Sequence, residues 1–364
     1  MLRVLGLASP PVEAAATRYR LEQFVAPLSA RGIALDVRPF LDSRLFATLY
    51  NRKELPRNAV GLLGATVRRF GDVLAARGAD VLLVQREAMM FGPPVVEWLA
   101  MKLGGCPLVL DLDDATYVSY TSPTYGRLGS ALKWFSKTDD MIRWAKVVTC
   151  GNRAIAEYVE AHGGRAVVIP TVVDTERFRP APASAAGDRP PVLGWIGTHS
   201  TFPYLESIFP VLQRLARAAR FRLKVVGAGR DAVNVEGVEV ESLGWRLERE
   251  IEDLQSFDIG LYPIVASEWA TGKSGFKSIQ YMAVGVPYVA TPVGASGEIG
   301  EPNVTHFLAT APGEWLDALT RLISDAPLRR SMGEAGRRHA LAHYTVGAQA
   351  DKLAAALREA ANAK

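Results

Sequence analysis

The residues best suited to chemistry lie in one stretch, Trp269–Glu298, which combines glycines and lysines with a helical pattern. Lys273 and Lys277 are four residues apart, so they share a face if the helix begins that early. Gly275 lies between them, and a glycine-flanked loop at a helix N-terminus presents backbone N–H groups and a positive dipole end. This combination suits a phosphate. We predict that the stretch holds the diphosphate of a sugar nucleotide.

A second loop of similar chemistry follows the predicted strand Val192–Ile196. It is small, polar and led by glycine, and it precedes a predicted helix at Tyr204–Ala218. Backbone N–H groups and hydroxyls before a helix resemble a phosphate cradle, although the dinucleotide pattern G-x-G-x-x-G is absent. The histidine of the loop is either a base or one of five scattered histidines without a role. The predicted donor-binding residues of this loop are Gly197, Thr198, His199, Ser200 and Thr201.

Three carboxylates follow a buried strand in the first half of the chain. The apolar run Pro107–Leu110 continues directly into Asp111, Asp113 and Asp114. Crowding carboxylates at the end of a parallel strand is costly unless they bind a metal, hydrogen-bond sugar hydroxyls or supply a base. The alternative is that one of them caps the next helix. We predict that Asp113 or Asp114 has a catalytic role.

Arginines follow two other predicted strands of that half. Arg18 and Arg20 come after the strand Val4–Ala8, and Arg86 comes directly after Asp80–Gln85. In an open parallel sheet, ligands bind at the carboxyl ends of the strands. We therefore assign the three arginines to the acceptor side. The alternative for the first two is that they are solvated side chains at the start of a helix.

Strands alternate with helices along the whole chain, which predicts a doubly wound α/β fold. A length of 364 residues suffices for two such domains, and two domains facing across a cleft would form one site from both sets of strand ends. A Pro- and Ala-rich segment marks the boundary. The predicted organisation is an N-terminal domain at 1–175, a linker at 176–191, a C-terminal domain at 192–345 and a C-terminal helix at 346–364.

Composition indicates an ordinary globular protein, with 49% hydrophobic and 22% charged residues. Cys106 and Cys150 are far apart and match no metal-ligand spacing, so we expect a reduced cytoplasmic compartment. The N-terminus is interrupted by proline too early for a signal peptide and is predicted to be a first strand. No window approaches the roughly 18 apolar residues of a spanning helix. We expect a soluble or peripheral protein.

Basic residues are concentrated in the first half, where residues 1–170 hold 21 Lys and Arg against 16 Asp and Glu. The stretch Asn51–Phe70 suggests contact with an anionic bilayer at the inner membrane face, because it is basic and amphipathic, with apolar residues between the basic ones. The alternative is a core helix with a basic outer face. No aromatic residues are interleaved with the cations, so nucleic acid is not an expected partner. The residues concerned are Arg52, Lys53, Arg57, Arg68 and Arg69, with Val60, Leu62, Leu63 and Val67 between them.

Together these motifs resemble the retaining GT-B glycosyltransferases of family 4, most closely a bacterial branch of cell-wall or surface-polysaccharide synthesis. The resemblance covers nearly the whole chain. In the second half it rests on GWIGTHSTFPYL at 194–205, DIGLYPI at 258–264, GKSGFKSIQYMAVGVP at 272–287 and TPVGASGEI at 291–299. In the first half it rests on VQRE at 84–87, DLDDA at 111–115 and PTVVD at 170–174.

The resemblance implies a GT-B fold of two Rossmann-like domains, with a nucleotide-sugar donor bound by the C-terminal domain and the acceptor by the N-terminal one. It implies retention and no obligatory metal or other cofactor. It places Gly275, Phe276, Gln280 and Glu298 in the donor site. The family has two glutamates eight residues apart, where this chain has Gly272 and Gln280. Gln280 can still hydrogen-bond ribose hydroxyls, but it brings no charge.

Glycosyl transfer needs cations and N–H dipoles that stabilise the departing nucleoside diphosphate. We assign this task to Lys273, Lys277, the amide region of Gly275 and the loop 197–201, and we predict that alanine at either lysine abolishes donor turnover without affecting folding. The acceptor is the hydroxyl of a glycan, a lipid-linked molecule or a small molecule. Two alternatives remain, a sugar-nucleotide epimerase of the same architecture and a catalytically inactive GT-B partner protein.

Overall fold

The computed structural model describes residues 1–49, 51–121, 126–182 and 189–363, so residues 183–188 of the predicted linker and the final Lys364 lie outside the described part. The chain divides into two compact units, Met1–Thr171 together with Val346–Lys364, and Val172–Thr345. Each unit contains a parallel six-stranded sheet flanked by helices, as the alternation of strand and helix patterns predicts.

The sheet of the first unit has the strand order β2-β1-β3-β4-β5-β6. Its central strands are buried along their whole length, which explains their unalternating apolar sequences. The strands are β1 (Leu2–Ala8), β2 (Ile33–Pro39), β3 (Val81–Gln85), β4 (Leu108–Leu112), β5 (Val147–Cys150) and β6 (Ala166–Val168).

The helices of the first unit differ from the sequence patterns in two respects. The helix predicted at Thr17–Leu28 is divided, and Pro27 lies in the first turn of its second piece, where no backbone donor is needed. Three short helices, α3, α6 and α7, were not predicted. The helices are α1 (Ala15–Arg20), α2 (Val25–Ser29), α3 (Ser43–Thr48), α4 (Leu55–Ala75), α5 (Val95–Gly104), α6 (Gly126–Lys133), α7 (Lys137–Trp144) and α8 (Arg153–Ala161).

The sheet of the second unit has the order β12-β11-β10-β7-β8-β9. Its strands are β7 (Val192–Ile196), β8 (Arg222–Val226), β9 (Glu239–Leu243), β10 (Ile259–Tyr262), β11 (Tyr288–Ala290) and β12 (His306–Leu308), of which the last was not predicted. The helix predicted at Tyr204–Ala218 is two helices, because Pro210 fits only in the first turn of the second one.

The helices that flank this sheet vary from one turn to five. They are α9 (Phe202–Glu206), α10 (Phe209–Ala216), α11 (Glu250–Gln255), α12 (Glu268–Thr271), α13 (Phe276–Ala283), α14 (Pro312–Ser324) and α15 (Ala326–His343). A short 3-10 turn, Gly294–Gly297, follows β11.

The last helix, α16 (Val346–Asn362), belongs to the first unit, although the sequence order places it after the second. Leu353 and Leu357 are buried one turn apart against the strands of the first sheet. Asp351 accepts a hydrogen bond from Arg31 at 2.6 Å. Because an exposed ion pair contributes little to stability, burial of the apolar face is the main interaction that stabilises α16 on the first unit.

Helix α4 buries one of its arginines, whereas its sequence pattern suggests that all of them lie on the outer face. Arg69 is only 1% exposed, and its guanidinium donates to the carbonyl oxygens of Ala8 at 2.7 Å and Arg38 at 3.0 Å and pairs with Asp72. Burial lowers the pKa of Arg69 to about 10. The expectation that Arg69 belongs to a basic outer face is therefore wrong, because the strand ends beneath the helix need its donors. Among the described residues, no helix is long and apolar enough to cross a membrane.

Candidate functional site

The second sheet reverses its strand order between β7 and β10. From β7 the chain proceeds to β8 and β9 on one side, and it then returns to place β10 on the other side of β7. In open α/β sheets, ligands bind at the carboxyl ends of the strands at such a switch point. The loop Gly197–Thr201 follows β7 there, and the segment Gly272–Lys277 follows β10 after one turn of helix.

The loop after β7 is closed by its own hydroxyl groups. The Thr201 hydroxyl accepts from the Thr198 amide at 3.0 Å, and the hydroxyls of Thr198 and Ser200 are 2.9 Å apart. Thr198, His199 and Ser200 are exposed. Within the described part of the chain, the amides of His199 and Ser200 donate to no protein acceptor. The loop therefore offers backbone and hydroxyl donors to an anion, as its composition predicts.

A third glycine-rich loop, after β8, packs directly on this one. A Cβ at Gly227 would lie 2.4 Å from the Gly197 carbonyl oxygen, and a Cβ at Gly229 would lie 2.6 Å from the His199 Cβ. Both glycines have positive φ values of 82° and 69°. Only glycine permits this approach. The next residue, Arg230, brings a cation to the same edge, stacked 4.5 Å from the Phe202 ring centroid.

Gly275 begins helix α13 in the left-handed conformation, with φ 64°. A Cβ there would lie 2.3 Å from the Ile299 Cδ1 and 3.2 Å from the backbone carbonyl carbon of Ala295, so a side chain would crowd both Ile299 and the turn Gly294–Gly297. Glu298, directly after that turn, is exposed. The structure thus brings Gly275 close to the turn that precedes Glu298, while the donor-binding role of both residues stays a prediction.

The two lysines of the segment differ in their surroundings. The Lys273 ammonium lies 5.9 Å from the Tyr204 ring centroid, which brings it next to α9, the helix that follows the first loop. The Lys277 ammonium donates to the Gln280 side-chain oxygen at 2.8 Å and lies 5.7 Å from the Phe276 ring centroid. Lys273 is therefore beside the loop after β7, whereas Lys277 is fixed on its own helix.

Gln280 is fully buried, and its side-chain nitrogen donates to the Glu250 carboxylate at 3.3 Å. Since its oxygen accepts from Lys277, both ends of the amide are engaged inside the unit. The structure therefore places Gln280 behind Lys277, inside the unit. The sequence did not indicate Glu250, because it lies 30 residues away on α11. Gly272, the other departure from the family pattern, is buried.

In the first unit, Asp111 is paired with Arg20. The guanidinium donates to both carboxylate oxygens, from Nε at 3.0 Å and from Nη2, and the Thr149 hydroxyl adds a third hydrogen bond at 2.5 Å. Burial alone would lower the pKa of Arg20, but the Asp111 charge outweighs it and raises that pKa. Arg20 is buried, so it is not a solvated side chain at a helix start.

Arg86 holds the other two carboxylates. Its Nη2 donates to Asp113 at 2.7 Å and lies 3.4 Å from Asp114. Gln85 donates to the same Asp113 carboxylate at 2.9 Å. Burial would raise the pKa of Asp113, but the Arg86 charge and hydrogen bonds hold it below its usual range. Asp113 is therefore a poor proton acceptor at neutral pH, whereas Asp114 retains a partly exposed carboxylate.

Arg18 lies apart from this pair of clusters. Its guanidinium donates to the carbonyl oxygens of Val12 at 3.3 Å and Glu13 at 3.0 Å, in the loop that follows β1. No pattern in the sequence indicated a further ion cluster, in which Glu87 pairs with Lys133 at 2.9 Å and Lys137 at 2.7 Å. Burial would raise the pKa of Glu87, but the two ammonium charges lower it.

The described residues contain no group of three or more His, Cys, Asp or Glu side chains arranged to hold a metal ion. The clustered carboxylates instead face arginine and lysine side chains. Cys106 and Cys150 are both buried thiols.

Residues 190–325 match the family model described as "Glycosyl transferases group 1". A search of curated protein sequences finds no match. The family match lies in the second unit and includes the loops after β7, β8 and β10.

Solved structures resemble the chain over its whole length. Anabaena HepE in complex with UDP and glucose has a TM-score of 0.66 and 17% identity, with 98% of this chain and 100% of that chain covered. A Rickettsia africae glycosyltransferase has a TM-score of 0.72 and 14% identity, with 99% and 98% covered. Sucrose-phosphate synthase from Thermosynechococcus elongatus has a TM-score of 0.69 and 14% identity, with 100% of each chain covered. The chain thus has the predicted GT-B fold of two Rossmann-like domains.

Proposed function

We propose that this protein is a glycosyltransferase that moves a sugar from a nucleotide-diphosphate sugar to an acceptor hydroxyl, with retention at the anomeric carbon. One observation carries the proposal. Glycine-rich loops, Lys273 and Arg230 lie at the switch point of the second sheet, and Lys277 lies on α13, the helix that follows Gly275. The family-model match covers this region, and the structural neighbour HepE was solved with UDP and glucose.

In the proposed reaction, the bond between the anomeric carbon and the diphosphate breaks, and negative charge develops on the leaving group. The acceptor oxygen bonds to the anomeric carbon from the same face, and its proton passes to the departing diphosphate. Lys273 and Lys277 stabilise that charge together with the amides of His199 and Ser200, in place of a metal. Gln280 acts as a positioning residue, because its oxygen holds the Lys277 ammonium at 2.8 Å. This arrangement supports diphosphate binding without either glutamate of the family pattern.

We assign the acceptor to the first unit, at the strand ends that carry the arginine–aspartate pairs. Asp114 is the best candidate to contact the acceptor hydroxyl, since it is the most exposed of the three carboxylates described above. Arg20 and Arg86 position Asp111 and Asp113 and neutralise them. The acceptor class is a glycan, a lipid-linked molecule or a small molecule.

The proposal also includes family 4 membership and a role in polysaccharide synthesis, both supported by the motif resemblance. It places the enzyme in the cytoplasm, in keeping with its two buried cysteine thiols, with peripheral membrane contact through residues 51–70.

A thermal-shift screen with UDP-, GDP-, ADP- and dTDP-sugars tests donor binding. A bound donor at 100 times its Kd adds about 2.7 kcal/mol of apparent stability, so at least one sugar nucleotide should raise the Tm clearly. The best ligand is then assayed for nucleotide release with and without acceptors. Donor consumption without acceptor would favour an epimerase, and binding without any turnover would favour an inactive partner protein. No shift with any sugar nucleotide would contradict the proposal.

A further inference from the structure

Helix α4 carries an apolar stripe on its solvent face. The stripe consists of large side chains at three- and four-residue spacing, so they lie in one line along the helix. An ordinary surface helix places charged and polar residues there, and its apolar residues face the core. The exposed members are Val60 at 73%, Leu63 at 67%, Val67 at 67%, Phe70 at 41% and Leu74 at 60%.

Exposed cations border this α4 stripe. Lys53 and Arg57 lie at its N-terminal end, where Arg57 is 3.8 Å from the Glu54 carboxylate, and Arg77 lies just beyond its C-terminal end. Arg68 is also exposed, and its guanidinium donates to the Phe40 carbonyl oxygen at 2.6 Å. The helix contains one acidic residue, Asp72, which is buried and paired with Arg69. The surface that faces solvent along α4 is therefore apolar in the middle and basic at its edges.

We infer that the α4 stripe docks this protein on an anionic lipid surface, with the apolar side chains inserted between the lipids and the bordering cations at the headgroups. An interfacial helix binds in this way, lying in the plane of the membrane with its apolar face buried. Each cation near an anionic surface adds to the attraction. The inference rests on the peripheral contact proposed above and does not depend on glycosyl transfer.

The shape and charge of the surface favour lipid over a protein partner. The stripe follows a helix of 21 residues, which is about 30 Å long. The stripe runs along the solvent-facing side of the helix, so a deformable bilayer can cover it along its whole length. The basic border is complementary to phosphate headgroups. It is not complementary to a second copy of the same surface, because two such copies would bring like charges together.

Vesicle cosedimentation of the full chain tests the inference. Wild-type protein should sediment with vesicles of phosphatidylcholine and phosphatidylglycerol, and much less with phosphatidylcholine alone. The double variant Leu63→Glu/Val67→Glu should lose at least tenfold in partitioning, since it removes apolar insertion and adds two negative charges. Leu341→Glu, at an exposed leucine on α15 of the second unit, is the matched control and should bind like wild type.

A second measurement avoids variants that could fold poorly. Because both native cysteines are buried, a dye on Val67→Cys reports on that site alone. Its emission should shift to the blue on anionic vesicles, whereas the same dye on Leu341→Cys should not shift. Equal binding of the double variant, or an unchanged dye spectrum, would overturn the inference. The inference would also be overturned if the wild-type protein formed a dimer without lipid and the double variant were monomeric.

Thermal shifts with sugar nucleotides, recorded on the same preparations, separate the two proposals. A protein that binds a donor but no vesicles refutes only the lipid surface, and one that binds vesicles but no donor refutes only the proposed activity.

Discussion

Replacing Lys277 or Lys273 with methionine should reduce donor turnover by the same amount, but only the change at Lys277 should clearly lower the stability of the protein. Lys277 donates to Gln280 at 2.8 Å, and Gln280 is fully buried. In Lys277→Met the Gln280 oxygen loses that donor, and a buried polar group left unpaired costs about 1–3 kcal/mol. For a domain of this size the Tm should fall by about 2–12 °C. Lys273 is partly exposed, so Lys273→Met should change stability by about 0.5 kcal/mol or less.

Both variants should lose about 10²–10³ in donor turnover, because each removes a cation that stabilises the leaving diphosphate. The assay combines differential scanning fluorimetry with nucleotide release, using the sugar nucleotide that gives the largest thermal shift with wild type. Lys352→Met, at an exposed lysine on α16 of the first unit, is the control and should show neither effect. Wild-type turnover in either variant would refute the phosphate assignment. Equal Tm values for the two variants would refute the buried role of Gln280.

Three further outcomes are expected. Lowering the pH from 6.5 to 4 should reduce the free energy of unfolding by about 3 kcal/mol, because His306 must then be protonated. Burial lowers the pKa of His306 from 6.5 to about 4 in the folded protein, so stability is lost as the pH falls through that window. In urea unfolding, His306→Phe should show a flatter dependence of stability on pH. Arg86→Met should reduce the free energy of unfolding by about 3–5 kcal/mol, because it leaves the Asp113 charge buried and unpaired. The double variant with Asp113→Asn should recover part of this loss in urea unfolding, and no recovery would contradict the pairing. Gly275→Ala should reduce the free energy of unfolding by at least about 1–2 kcal/mol, because its φ of 64° disfavours a side chain. Gly244→Ala is the control and should be nearly neutral, because a Cβ there meets nothing within 4 Å. Thermal melts of the two variants provide the comparison.

The physical basis of the His306 prediction is its setting in the second unit. The ring is fully buried and stacks on Tyr288 with ring centroids 4.7 Å apart, and its Nδ1 is 2.8 Å from the Thr305 hydroxyl. A protonated imidazole would be desolvated there, and the nearby His339 adds further repulsion. Phenylalanine preserves the ring stacking but cannot be protonated, so the variant separates the effect of protonation on stability from the effect of packing.

Some local features were predicted closely from the sequence. Strand β7 begins and ends at the predicted residues, and β3, β4 and β10 are displaced by one or two. These strands are buried on both faces, so their apolar runs are long and unambiguous. Helix boundaries were predicted less well where proline intervenes. Pro27 and Pro210 both divided a helix that the apolar spacing alone would have continued.

The faces of α4 illustrate what periodicity leaves undecided. The sequence offered a basic face for lipid or for solvent, yet the structure buries Arg69 and exposes Val60, Leu63 and Val67. The deciding contact is between Arg69 and the Ala8 carbonyl, 61 residues away in the chain. Such a contact contributes nothing to a local pattern, so a single sequence cannot reveal which face of the helix turns inward.

By itself, the sequence determined the alternation of strands and helices, the glycine- and lysine-containing loops and their positions after particular strands. Only the tertiary structure decided that β10 pairs with β7, so that Lys273 lies next to the helix after Gly197–Thr201. It also decided that Gln280 is enclosed behind Lys277. The reason is that spacing reports the local periodicity of an element, whereas strand order and burial arise from contacts between residues far apart in the chain.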